Sequence, residues 1–130
     1  MSRKSYEGKN VSVSGPYSHA IDAGNYIFFS GQVAKNSTTY VEVTGNIMEQ
    51  TKQCFMNLQE VMKVANVSLD EVVKVNVYLT GMNYFKEMNE VYKTMFKEPF
   101  PARTCVAVYE LPLGADIEIE VVVYKNPVVN

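Results

Sequence analysis

A chain of 130 residues with 47% apolar side chains can bury one core and is too short for two, so residues 1–130 are read as a single domain. Twelve basic against fourteen acidic residues give a net charge of −2, without the basic excess that nucleic acid or an anionic membrane demands. No stretch is long and apolar enough for a signal peptide or a membrane span, which makes the cytoplasm the expected location.

In chain order, Tyr26-Ile27-Phe28-Phe29-Ser30 is a β-rich apolar run bounded by Gly24-Asn25 and Gly31, and reads as a strand over 26–30. From Ile47 the apolar and small residues fall at Thr51, Cys54, Phe55, Leu58, Val61, Met62 and Ala65, the stripe of one long amphipathic helix. Ser68-Leu69-Asp70-Glu71 has the capping-box pattern and predicts a short turn before a strand over 72–79. Asn83 is a candidate cap for a second helix with the stripe Phe85, Met88, Tyr92, Met95 and Phe96, which must stop before Pro99. Pro99 and Pro101 then stiffen the entry to a strand and deliver Arg103, whose planar guanidinium fits a carboxylate or phosphate. Strands over 104–109 and 116–124 follow. The Pro112 and Gly114 between them suggest an antiparallel hairpin with a longer loop.

Two helices and a sheet of about five or six strands make an α+β two-layer domain with the helices on one sheet face. In the last strand Ile117, Ile119, Val121 and Val123 share one side, while Glu118, Glu120, Val122 and Tyr124 share the other. That second side is too apolar for a solvated face, and we expect other subunits to cover it. Cys54 and Cys105 read as reduced packing thiols without a disulfide. His19 is the only histidine and no ligand cluster accompanies it, so no metal is expected; no glycine-rich phosphate loop calls for a nucleotide cofactor.

Separated segments across nearly the whole chain resemble the RidA/YjgF family of reactive-intermediate (enamine/imine) deaminases. They are Gly15-Pro16-Tyr17-Ser18-His19-Ala20, Phe29-Ser30-Gly31-Gln32, Asn89-Glu90-Val91-Tyr92, Pro101-Ala102-Arg103-Thr104-Cys105, Leu111-Pro112 and Ile117-Glu118-Ile119-Glu120. The resemblance implies a chorismate-mutase-like domain, with a mixed sheet of about six strands and two helices on one face. It further implies a homotrimer with ligand clefts between subunits, and hydrolysis of 2-aminoacrylate and 2-iminobutanoate type compounds to 2-oxo acids and ammonia without a cofactor. On matching positions, Arg103 clamps the substrate carboxylate and Glu118 holds the attacking water. Tyr17, Ser30, Gly31 and the Cys105 backbone line the site, with Asn89 and Tyr92 as weaker candidates from the second helix. Two departures stand out: His19 replaces the more usual glutamine and would titrate near neutral pH if it faced the cleft, and residues 34–45 lack the usual proline-containing segment.

Plainer readings exist for each residue. Glu118 could pair with a lysine across the sheet, Cys105 could serve packing alone, and Tyr17 and Ser30 could be ordinary turn and strand-end residues. Two alternative functions follow: a non-catalytic trimer that binds small carboxylates, and an endoribonuclease or translation inhibitor. The acidic balance and the lack of clustered Lys and Arg argue against the second.

Overall fold

The longest helix is fixed at both ends by side chains the sequence places there. In a computed structural model, whose described residues are 3–13, 15–36 and 43–125, α1 (Ile47–Ala65) opens on a capping box. Asn46 Oδ1 accepts the Glu49 N–H at 2.9 Å, and Glu49 Oε1 accepts the Asn46 N–H at 3.0 Å. The helix closes on Asn66 in the left-handed region (φ 58°), with the Asn66 and Val67 N–H groups donating back to Lys63 and Met62. Every residue of its predicted stripe is buried.

The strands are β1 (Lys4–Tyr6), β2 (Ala20–Asp22), β3 (Tyr26–Phe29), β4 (Val72–Leu79), β5 (Ala102–Ala107) and β6 (Ile117–Tyr124), and the second helix is α2 (Phe85–Met95). They form one mixed sheet in the order β1-β2-β3-β6-β4-β5, antiparallel throughout except for the parallel pair β4 and β5, which α2 connects. Both helices pack on one face around Ile27, Phe29, Val75, Val77, Leu79, Ile117, Ile119, Val121 and Val123. This is the expected α+β architecture with a six-stranded mixed sheet.

Two expectations need correction. The last two strands do not form a hairpin: β6 passes over to lie between β3 and β4, while β5 is the sheet's edge. Burial explains the choice. Ile117, Ile119, Val121 and Val123 need a central position, whereas Ala102, Thr104, Val106 and Ala107 of β5 are exposed. Parallel pairing from Lys74↔Ala102 also starts β5 two residues earlier than expected. Nor does Asn83 cap α2. It sits inside a 3₁₀ turn, Met82–Tyr84, closed by the Tyr84 N–H donating to Gly81, and α2 starts directly behind that turn without a side-chain cap.

The sheet face opposite the helices carries Phe28, Lys74, Asn76, Tyr78, Glu118, Glu120 and Val122, with Phe28 51% exposed. Of residues 34–45, whose loop shape bears on the cleft, residues 37–42 lie outside the described residues. No described helix is long and apolar enough to cross a membrane.

Candidate active site

The predicted site residues collect in two separate hollows. The first, about 420 Å³, is centred on Glu118 and lined by Tyr17, Ser30, Gly31, Lys35, Leu113 and Glu120 among others. A two-way backbone bridge builds it: the Gln32 N–H donates to the Ile119 carbonyl (2.9 Å) and the Ile119 N–H to the Gln32 carbonyl (3.1 Å). This bridge lays Ser30 and Gly31 alongside β6. A Cβ on Gly31 would collide with Glu118 Oε2, so any larger residue there would push the carboxylate aside. The Ser30 hydroxyl donates to the Ser18 carbonyl at 2.6 Å and ties this segment to the one carrying Tyr17.

The two glutamates of this hollow differ. Glu120 Oε1 accepts from Asn76 Nδ2 at 3.1 Å and from the Tyr78 hydroxyl, whose own ionisation that carboxylate and burial push up to about 12. Glu118 takes no hydrogen bond from any described residue. Burial and then the neighbouring Glu120 push its carboxyl up, with Lys35 opposing them. Glu120 is therefore engaged in the sheet, and Glu118 is the carboxylate with acceptor capacity to spare.

The second hollow, about 480 Å³, is lined by Asn89, Tyr92, Lys93, Phe100, Pro101 and Arg103. Phe85, Asn89 and Tyr92 stand at spacings of four and three along α2, hence on one stripe, which faces β5. The Arg103 guanidinium lies 4.6 Å from the Tyr92 ring centroid and 5.4 Å from that of Phe85. Its Nη1 donates to Asn89 Oδ1 at 2.6 Å. Tyr92 is anchored in turn against Phe55 and Phe96, with ring centroids at 6.0 and 5.0 Å. The fork is held on a packed aromatic base with most of its donors still available.

Cys105 lies two residues further along the same strand and is half-buried; burial pushes its thiol up while Arg103 pulls it down, so it is no activated nucleophile. Its backbone is better placed than its sulfur. The Val108 N–H donates to the Leu79 carbonyl at 2.7 Å; with strict alternation along the unbroken β4/β5 register, the backbone groups of Arg103, Cys105 and Ala107 point to the open edge.

Arg103 and Glu118 do not meet within one chain. Arg103 pairs with Val75, a helix-side residue, and Glu118 pairs with Tyr78 on the other face. Two strand spacings across and three residues along the sheet separate them by roughly 14 Å, with side chains on opposite faces. Tyr17, Ser30 and Gly31 join Glu118, and Asn89 and Tyr92 join Arg103. His19 joins neither. Its buried ring accepts the Gly8 N–H on Nδ1 (2.9 Å), so Nε2 carries the hydrogen and donates to the Ser12 carbonyl (3.0 Å). Lys35 and Glu120, which line the Glu118 hollow, and Phe85, which packs under Arg103, were not among the expected site residues; a lone lysine in a loop and a helix-stripe phenylalanine carry no local sign of such a place, while Glu120 stood in the quoted strand motif.

Comparison with known proteins identifies this architecture. The family described as endoribonuclease L-PSP matches residues 7–125. The chain is 46% identical to the mitochondrial protein mmf2 of Schizosaccharomyces pombe over 123 residues, 92% of this chain and 96% of that one. It is 42% identical to a 2-iminobutanoate/2-iminopropanoate deaminase of Dermatophagoides farinae over 109 residues, 84% of this chain and 85% of that one. Escherichia coli TdcF, solved with bound serine, superimposes with a TM-score of 0.86 at 31% identity, over 95% of this chain and 99% of that one. With the segments around both hollows inside the matched region, the chain belongs to the RidA/YjgF family, also described as the endoribonuclease L-PSP family.

Proposed function

We propose that the protein hydrolyses 2-imino acids, and 2-enamino acids after their tautomerisation, to 2-oxo acids and ammonia, at clefts formed between the subunits of a homotrimer. The observation that carries this reading is the separation of Arg103 from Glu118 on opposite sheet faces, each with half of a site around it. A substrate with its carboxylate beside its imine carbon needs both groups within a few ångströms, and a second copy supplies the missing half. The open edge of β5 and the partly apolar free sheet face give such a copy surfaces to cover.

In this mechanism Arg103, steadied by Asn89 and Tyr92, grips the substrate carboxylate as a fork, and the Cys105 N–H at the sheet edge adds a donor. The neighbour's Glu118 accepts a hydrogen bond from water above Gly31 and aims its oxygen at the carbon of the protonated imine. As the carbon–oxygen bond forms, the imine π pair moves onto nitrogen and Glu118 takes the water's proton. Returning that proton to the nitrogen lets ammonia leave as the carbinol oxygen closes to the 2-oxo group, and the carbinol O–H proton passes through Glu118 to the departing ammonia, which leaves as ammonium. Tyr17 and Ser30 shape the wall on the Glu118 side. No cofactor enters. The name of the Dermatophagoides relative supports the substrate class, and the serine bound to TdcF supports recognition of a small amino-acid skeleton. We take the cytoplasm as the working location, against the mitochondrial names of the relatives mmf1 and mmf2.

The test is 2-oxobutanoate release from 2-iminobutanoate generated in situ by an amino acid oxidase, with semicarbazide as a competing trap. Wild type should accelerate release and Arg103→Ala should not; no acceleration by wild type would overturn the reading. A non-catalytic carboxylate binder would use the same Arg103 hollow, and Glu118→Gln separates the two: an enzyme loses turnover and keeps product binding. The family description favours an RNA-cleaving reading as well. It would place phosphates beside Glu118 and Glu120, and salt-sensitive RNA binding would be its signature.

A further inference from the structure

His19 and Lys35 meet at one oxygen atom, the Ser12 carbonyl. Lys35 is only 6% exposed, yet it lines the Glu118 cavity. Among the described residues its ammonium has a single hydrogen-bond acceptor, the Ser12 carbonyl at 2.8 Å. The same carbonyl accepts the His19 Nε2–H, and the Gly8 N–H on Nδ1 holds the His19 ring in place. His19 thus fixes the oxygen against which Lys35 leans.

A lysine this deeply buried normally contacts a carboxylate, because one backbone carbonyl does not replace its lost hydration. Here no described carboxylate stands in ion-pair contact with it. The charge it shares a cavity with is Glu118. The groups that face Glu118 are Glu120 on β6, Tyr78 on β4 with its hydroxyl engaged by Glu120, Tyr17 before β2, and Lys35. Lys35 is the cation among them.

We propose that Lys35 is the remote counter-charge of Glu118, a positioning residue that keeps the carboxylate ionised across an open gap. The gap matters. Direct ion pairing would occupy the oxygen that has to accept a water, whereas a charge held back by Ser12 acts through space and leaves that oxygen free. The direction of the Lys35 effect on the Glu118 carboxyl, opposite to burial and Glu120, agrees with this assignment. The catalytic consequence rests on the reading of Glu118 as the water-holding group; the electrostatic link does not.

The experiment is a carboxyl-carbon NMR titration of ¹³C-glutamate-labelled protein, with Glu118 assigned through Glu118→Gln, in wild type, Lys35→Met and Lys35→Arg. The Glu118 midpoint should move to higher pH in Lys35→Met and return toward wild type in Lys35→Arg. Should Lys35→Met fold poorly, Lys35→Gln removes the charge and keeps a donor for Ser12. In the imine assay, the loss of Lys35→Met relative to wild type should grow toward acid pH, to at most about tenfold, and vanish as pH rises, since a carboxyl needing about one further pH unit to ionise is depleted only on the acid side. An unchanged Glu118 midpoint in a folded, charge-neutral variant overturns the proposal, whatever the activity. A shifted midpoint in a protein without imine hydrolase activity keeps the electrostatic link and removes the proposed function instead.

Discussion

The two hollows are built in opposite ways. Arg103 stands on a strand and is held by three side chains of one helix stripe, Phe85, Asn89 and Tyr92, the last of them backed by the Phe55 and Phe96 rings. Glu118 also stands on a strand, but its surroundings are loops: Tyr17 from one, Ser30 and Gly31 from a second, Leu113 from a third. The proposed clamp is thus a product of regular packing, and the proposed water-holding group a product of backbone approach and charge. Damage to the first should appear mainly in substrate capture, and damage to the second mainly in turnover.

The largest effect should come from the clamp itself. Arg103→Ala should lower kcat/KM by roughly a hundredfold or more, as the loss of charge-assisted bonds worth about 3 kcal/mol implies. Arg103→Lys should recover little, because an ammonium cannot reproduce the fork or the stacking on Tyr92. Steady-state kinetics on 2-iminobutanoate checks both. Next comes Gly31→Ala, whose Cβ would collide with Glu118 Oε2. The carboxylate must move, and kcat should fall about tenfold to a hundredfold with KM little changed, since small misplacements of a reacting group are costly. Asn89→Ala should be milder, raising KM about threefold to tenfold as the guanidinium loses one of its anchors.

The smallest effect is one of stability. The Glu118 carboxyl is raised in the folded protein, so the folded state favours its neutral form. Its stabilising contribution is fully present below the unfolded-state pKa of a glutamate and is lost as pH rises through the folded value. Because the side chain is partly exposed, solvent screening keeps the effect modest. Glu118→Gln should therefore raise Tm by roughly 1–3 °C at pH 7, with the gain vanishing at acid pH, as thermal melts across pH would record. A Tm gain at neutral pH together with lost turnover would mark Glu118 as a residue kept for chemistry at the expense of stability.

Much of this architecture was legible in the sequence, for physical reasons. The stripe of α1 and the strict alternation of β6 record burial on one face, and burial is what fixed both elements. β1 and β2 left no such record: each is three residues long, and they exist because Ser5 can pair with Ile21 and Ile21 with Phe28. The expected hairpin failed because Pro112 and Gly114 report only that the chain turns, whereas the partner of β6 is set by the need to bury four aliphatic side chains next to β4. Arg103 and Glu118 were legible as a pair through family resemblance. Their placement on opposite faces was not, because alternation fixes the face within a strand, and only the pairing through β4 relates the faces of β5 and β6. Lys35 was hidden for a similar reason: its meaning depends on Ser12, twenty-three residues away.

Subunit complementation tests the central claim most directly. Arg103→Ala and Glu118→Gln, each inactive alone, are unfolded, mixed in equal amounts and refolded before the imine assay. If each cleft takes Arg103 from one subunit and Glu118 from its neighbour around a ring, about one cleft in four regains both groups, and roughly a quarter of wild-type activity should return. A mixture as inactive as its components, with exchange of subunits verified by mass, would contradict an active site shared between chains.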